Sequence, residues 1–99
     1  MKRVEIIFEE SNENEILMIL RQAKVEYYTR FTGVTGTGES GTKMNNAVGP
    51  GINHVVVAIV DEEAAGRIVA AVRRFQEVTT RMERPPATRC IVSQVDDFF

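Results

Sequence analysis

The chain contains little of what several protein classes require. Its single cysteine, Cys90, excludes an internal disulfide, and it has no tryptophan. The longest uninterrupted apolar run, Val55 to Val60, is too short to cross a bilayer, and the first residues lack the apolar region of a signal peptide, so we expect none. Neither half is basic, because each holds six basic and seven acidic residues. We therefore expect a cytoplasmic protein that does not bind nucleic acid or insert into membranes.

What the sequence does contain is the composition of one folded domain. Its 99 residues are 43% hydrophobic and 26% charged, a balance typical of globular proteins rather than disordered ones. A chain of this length supports one hydrophobic core but not two. Residues 1–99 are therefore predicted to form a single domain.

The spacing of apolar residues predicts four strands and two helices. Strands are predicted at 2–9, 25–35, 52–60 and 88–95, and helices at 12–23 and for about five turns after Asp61. Asn12 and Glu15 have capping-box spacing, and Asp61 is predicted to cap the second helix. Polar residues off the apolar stripe of the second helix are expected to face water: Arg67, Arg73, Arg74, Gln76 and Glu77.

This order of elements, β-α-β-β-α-β, predicts an α+β fold of the ferredoxin-like type. Its four-stranded antiparallel sheet carries both helices on one face and has the first and third strands at its centre. Ile7 and the doubly apolar third strand place apolar side chains on the face that the helices leave open. We expect a partner subunit to cover that face.

Residues 33–51 have a different composition, with six of the seven glycines and no aromatic residue. Gly36 to Gly41 matches G-x-G-x-x-G, but the residues that follow disfavour a helix, which excludes a dinucleotide-binding fold. Two interpretations stay open for this segment. It is either a mobile solvent loop or a nest of backbone N–H groups that binds an anion.

No constellation of catalytic or metal-ligating residues is evident. His54 is the only histidine, and spacing identifies no nucleophile or metal ligand beside it. We interpret His54 as a hydrogen-bonded core or edge residue and Cys90 as a small buried hydrophobe. The third strand lacks the aromatic residues on which an RNA-recognition domain stacks bases. The sequence therefore predicts neither an enzyme nor a resident metal.

A local basic stretch precedes the fourth strand. It contains Arg81, Arg84 and Arg89, with Glu83 as the only acidic residue among them. Guanidinium groups bind phosphates and carboxylates in a bidentate way. The stretch is either a solvated surface or a site for a phosphate-sized anion.

Over nearly its whole length the chain resembles the PII signal-transduction superfamily. Segment 1–7 (MKRVEII) is similar to that family's first strand, and segment 32–38 (TGVTGTG) to the run that leads into its long T-loop. The resemblance implies a flexible T-loop at about 36–51 and a homotrimer whose sheets face inward. It also implies a small effector in clefts between subunits and a target protein, such as a transporter or an enzyme.

The resemblance further implies which residues form the sites. Gly36 and Gly38 match glycines at the base of the T-loop that line the effector cleft, and Arg89 lies near a phosphate-binding lysine. With Arg84 they form the expected effector-binding set. The expected partner-binding residues of the loop are Thr37, Glu39, Ser40 and Lys43. No fixed cofactor is implied, and the effector is a small anion such as a nucleotide.

Two alternatives from other classes remain at this point. One is a metal-binding or metal-responsive trimer of the CutA type, which has the same fold. The other is a small-molecule-binding regulatory domain of the ACT type. Titration with nucleotides and with divalent metals distinguishes them.

Overall fold

The computed structural model describes residues 1–38, 41–43, 52–81 and 88–99. Within these ranges a 3-10 turn at Glu10–Asn12 connects the first strand to the first helix. The helices and strands are β1 (Lys2–Glu9), α1 (Glu13–Gln22), β2 (Thr29–Val34), β3 (Gly36–Gly38), β4 (Gly41–Lys43), β5 (Asn53–Val60), α2 (Glu62–Arg81) and β6 (Arg89–Gln94).

Four of these strands form one antiparallel sheet in the order β2-β5-β1-β6, and β3 pairs with β4 in a separate hairpin. The sheet confirms the predicted ferredoxin-like fold, with β1 and β5 at its centre. Both central strands alternate buried and half-buried residues along their length. This alternation places one face of the sheet against the helices, and neither helix covers the other face.

The core lies between the sheet and the two helices. Its largest fully buried side chains are Phe8, Ile6, Ile16, Leu20, Ile68, Val4, Val56 and Val72. These residues come from β1, β5, α1 and α2, so both helices bury their apolar stripes against the same face of the sheet. No helix in the described ranges is both long enough and apolar enough to cross a membrane.

One of the two predicted helix caps is present. The Ala64 N–H donates a 2.8 Å hydrogen bond to the Asp61 carboxylate, so Asp61 caps α2 as predicted. The predicted capping box at Asn12 is wrong, since that side chain makes no capping hydrogen bond. The preceding 3-10 turn supplies a backbone partner instead, and the Glu13 N–H donates to the Glu10 carbonyl.

β2 begins at Thr29 rather than at the predicted residue 25, and the carboxyl end of α1 explains why residue 25 is not in the strand. The Lys24 N–H donates to the Arg21 carbonyl and the Val25 N–H to the Leu20 carbonyl, both at 3.0 Å. These two bonds form a Schellman motif, which includes Val25, the first residue of the predicted strand. Lys24 occupies the left-handed position of the motif, with φ of 64°.

Arg67 is exposed on α2, as expected, and its guanidinium also makes a hydrogen bond to the backbone. Its guanidinium Nη2 donates to the Ala23 carbonyl at 3.1 Å. This carbonyl lies at the end of α1, where helix carbonyls have no partner within the helix. Arg67 therefore ties the end of α1 to α2.

Replacing Lys24 by glycine is expected to stabilise the protein. A left-handed conformation costs a residue with a Cβ about 1–2 kcal/mol, and glycine avoids this cost. We expect Lys24→Gly to raise the free energy of unfolding by about 1 kcal/mol in urea denaturation at fixed protein concentration. Gln22→Gly, within α1, is the matched control and should lower it by about 0.5–1 kcal/mol. A loss of stability in both variants would contradict the role assigned to Lys24.

Candidate functional site

A glycine-rich hairpin, β3–β4, follows β2 at one end of the sheet. Gly36 pairs with Lys43, and Thr37 pairs with Thr42. The sequence did not indicate these short strands, because they contain no apolar residues to show an alternating pattern. A Cβ added at Gly36 would meet no atom within 4 Å, so packing within the described part of the chain does not require glycine there.

The chain enters this hairpin through an irregularity in β2. The register between β2 and β5 shifts between Phe31 and Val34. Gly33 lies within the shift and has φ of 65°, a conformation that favours glycine. Because a bulge bends its strand, Gly33 sets the direction in which the chain leaves β2.

A buried imidazole lies against this bend. His54, at the start of β5, is 5% exposed, and its Nδ1 lies 3.2 Å from the Gly33 nitrogen and 3.1 Å from the Asn53 carbonyl oxygen. Its Nε2 lies 3.4 Å from the Glu10 carboxylate, and the Phe8 ring meets it edge-on at 5.9 Å. The interpretation of His54 as a hydrogen-bonded core residue is confirmed. The sequence did not reveal which groups it contacts.

Arg89 lies on the opposite edge of the sheet, as the first residue of β6. It is half-buried and lies beside Ile7 of β1. The backbone just before it is held by Gln76, whose Nε2 donates to the Thr88 carbonyl at 2.8 Å. Gln76 is half-buried, so the expectation that it faces water is wrong. Arg84, the other predicted cation of the effector site, lies outside the described residues.

The hairpin and Arg89 share one end of the sheet but not one edge. Val34 lies beside Asn53, and Arg89 lies beside Ile7, all toward the end where β1 finishes. Two strands separate β2 from β6, so these edges are about 14 Å apart at the usual strand spacing. Within one chain, the edge strand that contains Arg89 and the edge strand that leads into the hairpin are therefore separated by the width of the sheet.

The predicted partner-binding residues fall in and around the same hairpin. Thr37 is exposed on β3, and Lys43 ends β4. Glu39 and Ser40 lie outside the described residues. The described part of this set thus sits on the hairpin that leaves the sheet at Gly33.

The sheet face away from the helices, here called the outer face, carries a row of apolar residues beside the Arg3–Glu5 ion pair. In one row across it, Phe31 lies beside Val55 and Val55 beside Ile7. Phe31 is 52% exposed although it is a large aromatic residue. The apolar residues of the outer face are Ile7, Phe31, Val55, Val57, Ile59 and Ile91.

The same face carries an unpaired polar atom. The Asn53 Oδ1 is buried and has no hydrogen-bond partner among the described residues. A buried acceptor without a donor costs about 1–3 kcal/mol. The apolar row, unlike this buried acceptor, is accessible to a second protein surface.

Cys90 and the acidic residues form no reactive centre in the described ranges. Burial raises the pKa of the Cys90 thiol more than the nearby Arg73 guanidinium lowers it. A raised pKa keeps the thiol protonated near neutral pH, which makes it a poor nucleophile. No three histidine, cysteine, aspartate or glutamate side chains of residues 1–38, 41–43, 52–81 and 88–99 cluster to hold a metal ion.

Comparison with known proteins identifies one matching family. Residues 1–97 match the family model of the nitrogen regulatory protein P-II. No curated protein matches the chain in sequence.

Solved structures share the fold over most of their length. CPII, a nitrogen regulatory PII-like protein from Thiomonas intermedia K12 bound to ADP, AMP and bicarbonate, has a TM-score of 0.74 at 22% identity, covering 95% of this chain and 88% of that one. CPII bound to ADP and bicarbonate has a TM-score of 0.72 at 23% identity, covering 97% and 88%. A PII-like signaling protein from Thermus thermophilus has a TM-score of 0.64 at 25% identity, covering 93% and 83%.

Proposed function

Because this chain belongs to the nitrogen regulatory protein P-II family, we propose that it is a homotrimeric regulatory protein that binds a small anion between its subunits. The anion is an adenine nucleotide, the class of ligand bound by the similar protein CPII. Residues 36–51 of the single domain act as a T-loop that contacts a target protein, such as a transporter or an enzyme. The protein acts in the cytoplasm and has no catalytic activity of its own.

The observation that carries this proposal is the separation of the two halves of the site. The glycines of the hairpin and Arg89 lie at one end of the sheet but on opposite edges. If the edges of two copies meet, the hairpin of one chain comes next to Arg89 of the other. A cleft between subunits therefore unites groups that one chain keeps apart.

The outer face supports the assembly that such a cleft requires. Its apolar row, centred on Val55, is left open by the helices in the isolated chain. Burying apolar surface is worth about 25 cal/mol for each Å² removed from water.

The chemistry of the residues suits an anion. The Arg89 guanidinium is a permanently charged group with several donors that bind phosphate in a bidentate way. Gly36 has open space where other residues carry a Cβ, which allows a ligand to approach the backbone. We assign Gly36, Gly38, Arg84 and Arg89 to the effector site, and Thr37, Glu39, Ser40 and Lys43 to contact with the target.

Calorimetric titration with ADP, AMP, ATP and divalent metal salts tests this function. We expect an adenine nucleotide to bind with one site per chain. Nucleotide at about 100 times its Kd should add about 2.7 kcal/mol to the free energy of unfolding. Binding of a divalent metal alone, with no binding of any nucleotide, would support the CutA-type alternative and contradict the proposal.

A further inference from the structure

The exposed aromatic side chains of the described residues lie in three places. Phe31 is on the outer face, and the others are in two short segments: Tyr27 and Tyr28 before β2, and Phe98 and Phe99 after β6. Tyr27 is 84% exposed and Phe98 is 65% exposed. Exposed apolar patches mark sites where another protein surface binds, and such sites are rich in aromatic residues. The apolar row of the outer face accounts for Phe31 but not for the other four rings.

Two cavities flank the segment that carries the tyrosines. The larger, of about 560 Å³, is lined by Arg21 and Tyr28, and the smaller, of about 210 Å³, by Tyr27. Lys24 borders both cavities, and the side chains of Lys24 and Arg21 are exposed. Residues 21–28, here called the tyrosine surface, therefore combine aromatic rings with exposed cations beside open space.

The segment after β6, residues 96–99, has the complementary chemistry. It reads DDFF, two carboxylates followed by two apolar rings. The tyrosine surface carries two cations and one carboxylate, Glu26. Aromatic rings pack against each other in offset or edge-on arrangements, and carboxylates pair with guanidinium and ammonium groups. Segment 96–99 therefore offers the groups that the tyrosine surface accepts.

Segment 96–99 and the tyrosine surface lie at the same end of the sheet but at opposite edges. Gln94, just before the segment, lies beside Lys2, and Lys2 lies beside Val60. Tyr27 lines its cavity together with Val60, on the β2 side of β5. This end of the sheet is opposite to the end that leads into the hairpin.

Within one chain, segment 96–99 does not cover the tyrosine surface. The Val95 N–H donates to the Met1 carbonyl at 3.1 Å, which keeps the chain beside β1 as it leaves β6. From there the segment would have to cross the width of the sheet, about 14 Å at the usual strand spacing. Phe98 and Phe99 remain exposed. The two rings are therefore available to another chain.

We propose that segment 96–99 of one subunit docks on the tyrosine surface of the next subunit. The proposed function already brings the β6 edge of one chain to the β2 edge of another, with Arg89 next to the hairpin. The same meeting of edges brings segment 96–99 to the tyrosine surface at the other end of the sheet. The inference rests on the proposed function only in needing this head-to-tail assembly, not an effector. In a closed ring of three, each subunit provides one segment and receives one.

Nuclear magnetic resonance of mixed subunits tests this contact without any nucleotide. The chain has two tyrosines and no tryptophan, so every tyrosine ring signal reports on the tyrosine surface. Chains with ¹³C-labelled tyrosine are mixed with unlabelled chains and allowed to exchange subunits. We expect nuclear Overhauser contacts from the labelled tyrosine rings to phenylalanine rings of unlabelled chains. These contacts should disappear when the unlabelled chains carry Phe98→Ser and Phe99→Ser.

The same pair of substitutions measures how much the contact stabilises the assembly. Both rings are exposed in the single chain, so the fold should be kept. The concentration at which half of the chains are assembled should rise about tenfold or more, the effect of removing an aromatic anchor from an interface. Tyr27→Ser should act similarly, and adding it to the first two substitutions should have little further effect, because both changes remove one contact. Met18→Ser, at an exposed apolar residue of α1, is the control and should change nothing.

The outcomes separate this inference from the proposed function. An assembly that binds nucleotide but shows no tyrosine contacts between chains, or that is unaffected by Phe98→Ser and Phe99→Ser, would overturn the docking and leave the function standing. Contacts confined to a single labelled chain would also overturn the docking. Contacts between chains in an assembly that binds no nucleotide would support the docking while refuting the proposed effector. A chain that never assembles would overturn both.

Discussion

Val55→Asp is expected to convert the assembled protein into single chains of 11.1 kDa. Val55 lies at the centre of the apolar row on the outer face, between Phe31 and Ile7. In the proposed trimer this row is buried by neighbouring subunits, and an unpaired carboxylate buried there costs several kcal/mol. Light scattering at micromolar concentration measures the change in mass directly.

The matched control is the same valine-to-aspartate substitution on a helix instead of the outer face. Val78 is 53% exposed on α2, and Val78→Asp should leave the mass of the assembly unchanged. Circular dichroism of both variants shows whether the fold is kept. If the folded Val55→Asp variant assembles like the original chain, the outer face is not the subunit interface.

Arg89→Ala is expected to weaken nucleotide binding by about 1.5–3 kcal/mol, the scale of a hydrogen bond to a charged group, which is roughly 10- to 150-fold in Kd. The loss arises because the guanidinium supplies a full charge and paired donors to the phosphate, and alanine supplies neither. Calorimetry measures the affinity, and light scattering should show that the assembly persists.

Arg74→Ala is the control for a general effect of charge. Arg74 is exposed on α2, on the helical side of the molecule, and its removal changes the net charge by the same amount. Its loss should leave the affinity within about twofold, since exposed charges act weakly at a distance in salt. Equal affinities in Arg89→Ala and the unmodified chain would return Arg89 to the role of a solvated surface charge.

The sequence correctly predicted those helices and strands in which apolar residues recur with a clear periodicity. β1, β5 and α2 have such periods, and the structure places them within one or two residues of the predicted positions. Asp61 was correctly identified as a cap because the carboxylate lies next to the backbone it serves. The order of these elements, together with the usual handedness of connections, was sufficient to predict the sheet.

The features that the sequence did not reveal depend on contacts between distant residues. Gln76 looked like a solvent-facing residue, but its amide bonds the Thr88 carbonyl. Lys24 takes a conformation that usually favours glycine, so no glycine marked the end of α1.

The candidate site was predictable only in part, for a related reason. Spacing identified the glycines of the hairpin and the basic stretch near Arg89 as separate features. The predicted sheet, with its first and third strands at the centre, already put these two features on opposite edges, but spacing did not show the β3–β4 hairpin itself. The contact of His54 with Glu10 likewise depends on how the 3-10 turn packs beside β5.

Native mass spectrometry of the full chain with ADP tests the central claim most directly, since one spectrum reports both the assembly and its ligands. The account predicts a species of three 11.1 kDa chains that carries up to three nucleotides, with no nucleotide on single chains. A single chain that binds ADP by itself, or a trimer that binds none of the adenine nucleotides, would contradict it.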